Sequence, residues 1–195
     1  MPLDAFMYFG KNNEKVVVEG ESSDDFGKGF KPFEIISFEW GAYIGKKEVT
    51  KEVTTEGTTK EKSHYSGHSE TVSHREVTVD NIKVSKPFDS ASLGLFMACT
   101  NPKCVFEDAT IIFRKSGGGD PFIFLKFVFK KVRVDSVEWK LESMEGDKPD
   151  QEDLRCSFEE VEMFYSPQTE TGAKALSFGG GTKKTASFKR STATS

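Results

Sequence analysis

The sequence predicts a mainly β domain with strongly curved or barrel-like sheets and one short helix. Three observations carry this. Phe is abundant, at 18 of 195 residues, and Phe favours strands and large apolar contacts. Apolar residues recur at period two through most of the chain, the pattern of half-buried strands. In several of these runs the alternation slips by one residue. Such a slip marks a β-bulge, and bulges bend strands and suit curved sheets or barrels.

The elements follow in chain order. Residues 3–9 form a first strand, with Asp4, Phe6 and Tyr8 on one face and Ala5, Met7 and Phe9 on the other. Val16-Val17-Val18 is a short apolar segment leading into a Gly/Asp loop. Residues 34–43 form a second strand. Its alternation puts Ile36, Phe38 and Trp40 in the core and Ile35, Ser37 and Glu39 on the opposite face.

Residues 45–75 are rich in Lys, Glu, Thr, Ser and Gly, and read as a long exposed loop or an extended hairpin reaching away from the core. Alternation returns over 76–86, slipping at Asp80-Asn81. The helix falls at 89–100, capped by Asp89 or Ser90 and ended by Asn101-Pro102. Leu93, Phe96, Met97 and Thr100 share one of its faces.

Three strands are expected next, at 106–115, 121–131 and 131–141, the first two joined by a turn at Ser116-Gly117-Gly118-Gly119-Asp120. Ile123, Leu125, Phe127 and Phe129 line one face of the second, and Phe122, Phe124 and Val128 the other. A strand apolar on both faces belongs in the middle of a structure. The third slips near Asp135-Ser136. A last strand spans 152–165 and slips at Glu159-Glu160. Beyond Ser166 the chain reads as a Gly/Ser/Thr/Lys-rich tail, mobile or ordered by a partner.

Composition narrows the function. A length of 195 residues suits one domain with a real core. A net charge of −4 argues against nucleic acid as the main partner. No apolar run could span a membrane as a helix, so no membrane insertion is expected. The start Met1-Pro2-Leu3-Asp4-Ala5-Phe6 lacks the pattern of a signal peptide. Assembly in the cytoplasm is expected, with any exit by a route that needs no cleavable signal. Cys99, Cys104 and Cys156 read as reduced thiols, with Cys99 a small core residue.

Several stretches together resemble one family. Val77-Thr78-Val79-Asp80-Asn81-Ile82-Lys83-Val84-Ser85-Lys86 and the following Asp89-Ser90-Ala91-Ser92-Leu93, with Ala98-Cys99, resemble a strand and helix of the haemolysin-coregulated protein (Hcp) family. Ala109-Thr110-Ile111-Ile112-Phe113-Arg114-Lys115-Ser116-Gly117-Gly118 resembles that family's strand and Arg-Lys-x-Gly-Gly turn. Leu125-Lys126-Phe127 through Val132-Arg133-Val134-Asp135-Ser136-Val137 resembles its next hairpin. Phe158-Glu159-Glu160-Val161-Glu162 with Tyr165-Ser166-Pro167-Gln168 resembles its last strand. Gly20-Glu21-Ser22 and Trp40-Gly41 match near the start. Each motif alone is weak; their order from residue 3 to 168 is specific.

The resemblance implies a β-barrel of two packed antiparallel sheets with one helix at its side, a fold similar to that of phage tail-tube proteins. It divides the chain into a barrel domain, 1–168, and a tail, 169–195. It implies a structural subunit and not an enzyme: six copies close into a ring, and rings stack into the inner tube of the type VI secretion system. The implied partners are further copies of the chain, a spike protein, contractile sheath proteins and small effector cargo in the lumen. No cofactor is implied. The loop 45–75 and the ending depart from the family's usual pattern.

In that family the strand corresponding to residues 34–41 lines the channel. Ser37 and Glu39 are therefore the expected lumen residues, and six copies of Glu39 would make an acidic ring favouring basic cargo. Pairing of Glu39 with a Lys or Arg would cancel it. The loop and tail are expected to reach a neighbouring subunit or ring. Lys46, Lys47, Glu48, Glu52, His64, His68 and His74 represent the first, and Lys183, Lys184, Lys189 and Arg190 the second.

Catalytic and metal chemistry have little to stand on. His64 and His68 have ligand-like spacing, which keeps a metal-binding or hydrolytic β-domain using loop 64–74 as the alternative function. No known acidic or Cys motif surrounds them, and no metal ligand is assigned. Cys99 and Cys104 lack a second pair. The run Phe178 to Thr185 lacks the spacing of a phosphate loop. Glu159, Glu160 and Glu162 read as solvated strand edges, not an acid/base site.

Overall fold

The computed structural model describes residues 3–24, 29, 31–53, 68–115, 122–140, 150–166 and 184–189. Its elements are β1 (Leu3–Phe9), β2 (Phe33–Glu34), β3 (Ser37–Glu39), β4 (Ala42–Val53), β5 (His68–Val79), β6 (Ile82–Pro87), α1 (Ala91–Thr100), β7 (Phe106–Lys115), β8 (Phe122–Lys140), β9 (Gln151–Ser157), β10 (Glu160–Tyr165) and β11 (Lys184–Lys189). The chain is mainly β with one described helix, as expected. It divides into two compact units, residues 41–80 and the rest.

The larger unit holds two antiparallel sheets that share β8. One runs β2-β1-β7-β8-β10-β11, using the first half of β8; the other runs β8-β9-β6-β3, using its second half. The ladder itself does not close into a barrel among the described residues. Its two ends, β2 and β3, are instead joined by one step of main chain: the Ile35 N–H donates to Ala5 O at 2.9 Å in β1, and the Ile36 N–H donates to Ser85 O at 2.7 Å in β6.

That step corrects the alternation expected for residues 34–43. The chain changes sheets between Ile35 and Ile36, so the pleat restarts. Ile35 is buried and Ile36 is 51% exposed, the reverse of the expectation. From Phe38 the expected phase holds. Phe38 packs at a tilt against Phe113 and Phe127, and Trp40 meets Phe127, Phe129 and Phe158 edge-on, with centroids 5.6–6.1 Å apart for Trp40. Edge-to-face aromatic packing of this kind fills the space between the sheets.

The two strands expected at 121–131 and 131–141 are one 19-residue strand. Lys131 has φ +55° and bends the strand without ending it. This lets β8 leave one sheet and enter the other. Two bulges adjust its register, one near Phe124 opposite β7 and one at Asp135 opposite β9. The first explains why Ile123 is exposed while Phe127 and Phe129 are buried. The slips at Asp80-Asn81 and Glu159-Glu160 are places where the chain changes sheets: β5 gives way to β6, and β9 to β10.

The helix is rotated from the expected orientation. Ala91, Ser92, Leu95 and Ala98 are buried, while Leu93, Phe96 and Met97 are exposed. The cause is close approach. A Cβ on Gly94 would sit 2.1 Å from Val17 O, so the small residues of α1 face the body of the protein. Of the two expected caps, Asp89 does the work: its Oδ1 accepts from the Ala91 N–H at 3.0 Å. Ser90 makes no side-chain cap bond, and its hydroxyl donates to Glu19 O.

Residues 41–80 take the hairpin form of the two read from the sequence. β4 and β5 pair without interruption from Ala42↔Val79 to Val53↔His68. The other departure is at the C-terminal end. β11 pairs with β10 from Glu160↔Lys189 to Tyr165↔Lys184. β10 is thus held between β8 and β11, and Glu160 and Glu162 are not free edge carboxylates. Glu160 pairs with Lys189 at 2.7 Å, and Glu162 accepts from Lys130. The alternation in β10 could not reveal this, because the pairing strand lies beyond a Gly-rich stretch.

A candidate lumen face on the second sheet

The second sheet has one face toward Trp40 and Phe129 and one toward solvent. Pairing register orders the outer face into rows across all four strands. Glu39, Lys83, Arg155 and Ser136 form one row; Ser37, Ser85, Asp153 and Glu138 form the next. Together they line a shallow cleft of about 140 Å³, floored by Val84 and Leu154. The two expected lumen residues, Ser37 and Glu39, are both exposed on this face.

Electrostatics on the face are mixed. Lys83 Nζ lies 3.4 Å from Glu39 Oε2, with both side chains well exposed. Glu39 thus has a cation beside it, although an exposed pair of this length is worth little. Asp153 accepts from Lys140 and from the Ser85 hydroxyl. The Lys140 ammonium first, and Ser85 second, hold its carboxyl below the usual range.

The inner side of the same sheet carries charges that sequence reading did not single out. Lys86 and Glu152 are wholly buried, and Lys86 Nζ also meets Asp89 Oδ1 at 2.7 Å and Ser92 Oγ at 3.1 Å. The indole N–H of Trp139 donates to Glu152 Oε2 at 2.8 Å. Lys86 falls in the apolar phase of Ile82 and Val84, and Glu152 in that of Leu154 and Cys156. A charge in a buried phase was the available signal. On the first sheet, the half-buried Arg114 of β7, from the Arg-Lys-x-Gly-Gly stretch, reaches Asp24 Oδ1 at 2.6 Å and Asp4 Oδ2 at 3.2 Å. The Asp24 hydrogen bond foremost raises its pKa.

The residues expected at interfaces are scattered. Lys46, Lys47, Glu48 and Glu52 lie in β4, and His68 and His74 in β5, where His74 pairs with Lys47 and His68 with Val53 in register. His64, Lys183 and Arg190 fall outside the described residues. Lys184 and Lys189 lie in β11. Among the described residues no group of three or more His, Cys, Asp or Glu could hold a metal ion. Cys104 and Cys156 are buried and Cys99 is half-buried, not fully in the core. Burial first, and Glu14 second, push the Cys104 thiol up; burial also raises that of Cys156. Among the described residues no helix is long and apolar enough to cross a membrane.

Comparison with known proteins agrees with this architecture. The family described as "Type VI secretion system effector, Hcp" matches residues 6–165. No curated protein sequence matches the chain. Among solved structures it is similar to Hcp1 from Salmonella typhimurium, at 23% identity and a TM-score of 0.61 over 97% of this chain and 95% of that one. A structure described as a type six secretion system protein gives 22% and 0.64, covering 96% of each chain. A type VI secretion system effector from Yersinia pestis gives 17% and 0.60, over 96% of this chain and all of that one. The family match spans most of the sequence and both sheets, and the chain belongs to the Hcp family, the secreted structural proteins that stack as hexameric tubes in the type VI secretion system.

Proposed function

We propose that this chain closes into rings of six that stack into a hollow tube, tipped by a spike protein, driven by a contractile sheath and carrying small effectors in the lumen. The observation that carries the reading is the family match over residues 6–165. In this reading the outer face of β3, β6, β9 and β8 lines the channel, and the chain has no catalytic role. A polar face on one side of a thin sheet suits a wet channel, since antiparallel sheets can leave one face solvated.

The hairpin supports self-association. Ile44 and Val77 are opposite each other in its register and more than half exposed. Two strands alone are marginal in water, so a neighbouring copy that covers this apolar pair adds stability. Closed cyclic symmetry also satisfies surfaces that would otherwise associate without limit. Light scattering on the purified chain at high concentration tests the reading. A mass of six copies is expected; a mass of one copy at all concentrations contradicts it.

A further inference from the structure

The outer face of the second sheet is banded in charge. The row holding Glu39, Lys83 and Arg155 carries one net positive charge. The row holding Asp153 and Glu138 carries two negative ones, reduced to one when Lys140 is counted through its bond to Asp153. Adjacent rows on one face are two residues apart along each strand, a rise of about 6.8 Å. Within each row one charge has no hydrogen bond or close ion pair among the described residues: Arg155 in the first, Glu138 in the second. Both side chains are exposed and both line the cleft.

We propose that this cleft binds an extended peptide segment carrying one acidic and one basic side chain two residues apart. In an extended segment, residues i and i+2 project on one side with the same rise of about 6.8 Å. The acidic side chain then lies over Arg155 and Lys83 while the basic one lies over Glu138 and Asp153. A segment with two acids or two bases meets one matching row and one opposing row. Such opposition selects between ligands more than it adds affinity. The proposal rests on the tube reading for the ligand's identity as lumen cargo. It also replaces a simple preference for basic cargo, because Glu39 is answered by Lys83.

The test uses the full-length chain and three fluorescein-labelled peptides that share a Thr-rich frame and differ in one triplet: Glu-Thr-Lys, Glu-Thr-Glu or Lys-Thr-Lys. Fluorescence anisotropy at low salt reads binding, and light scattering on the same samples reads assembly. The mixed peptide is expected to bind about threefold or more tighter than either control, with the difference lost at high salt. Arg155→Glu makes both rows acidic and is expected to move the preference to Lys-Thr-Lys. Glu138→Arg, with Lys140 counted, makes both rows basic and is expected to move it to Glu-Thr-Glu. Both positions are exposed, so the fold is retained, which circular dichroism checks. Equal binding of all three peptides, or variants that leave the preference unmoved, overturns the proposal. Rings without preference sink this proposal alone; preference without rings sinks the tube reading alone.

Discussion

Lys86 and Glu152 stand opposite each other in the register of β6 and β9, both shut off from solvent, with Lys86 Nζ 3.8 Å from Glu152 Oε1. The pair links four elements, β6, β9, α1 and β8. Lys86 reaches the start of α1 through Asp89 and Ser92, and Glu152 reaches β8 through Trp139. Glu152 Oε1 accepts no hydrogen bond among the described residues, so Lys86 is its near counter-charge.

Removing one partner therefore costs more than removing both. Lys86→Met strands a buried carboxylate and is expected to destabilise the chain by about 3–5 kcal/mol. Adding Glu152→Gln to that variant should recover part of the loss, since the fully buried carboxylate is removed and only the more exposed Asp89 remains without Lys86. Urea unfolding of the two variants measures the difference; equal midpoints would show that the stranded Glu152 charge is not what destabilises Lys86→Met.

Gly94→Ala sets two effects against each other. Ala is favoured over Gly inside a helix by about 1 kcal/mol. The added Cβ would press on Val17 O at 2.1 Å, a backbone atom that cannot swing aside. Overpacking of this kind costs about 1–3 kcal/mol. A net loss of stability is expected on thermal unfolding, and a gain would mean the helix can move off Val17.

The framework of β strands and the single helix was legible because period-two and helical patterns are local. The exposed phase of Ser37 and Glu39 was legible for the same reason. The failures share one cause. At Ile35-Ile36 the chain changes sheets, and at Lys131 it bends without stopping; both depend on which strand lies alongside. The face of α1 was misread because Leu93, Phe96 and Met97 are exposed while Leu95 and small residues are buried, and the close contact of Gly94 with Val17 explains that. The pairing of β10 with β11 joins segments separated by a stretch with no pattern to read.

The carboxyl of Asp153 supplies a pH test. Its folded pKa lies below the ordinary carboxylate value, chiefly through Lys140. Its contribution to stability is therefore full above that ordinary value and is lost as pH falls through the lowered one. Lys140→Met should move the Asp153 titration, followed by NMR, up toward the usual value of about 3.9. An unmoved titration would mean that Ser85 and Arg155 hold the shift without Lys140.

Ending the chain after Gln168 removes β11 and leaves β10 with an open edge. The six cross-strand pairs and the Lys189–Glu160 contact are lost. The β signature in circular dichroism should remain, while the urea midpoint falls by an amount worth roughly 1–4 kcal/mol. The open edge should also raise aggregation. No change in midpoint would mean that β11 adds nothing to the fold.

The central claim is a closed ring of six that stacks. Negative-stain images of the purified chain test it most directly, because they separate a ring from an open or irregular oligomer of equal mass. Six-fold rings with a central channel, some in end-to-end stacks, are the predicted result. Single particles of one copy, or open chains without a channel, would contradict it.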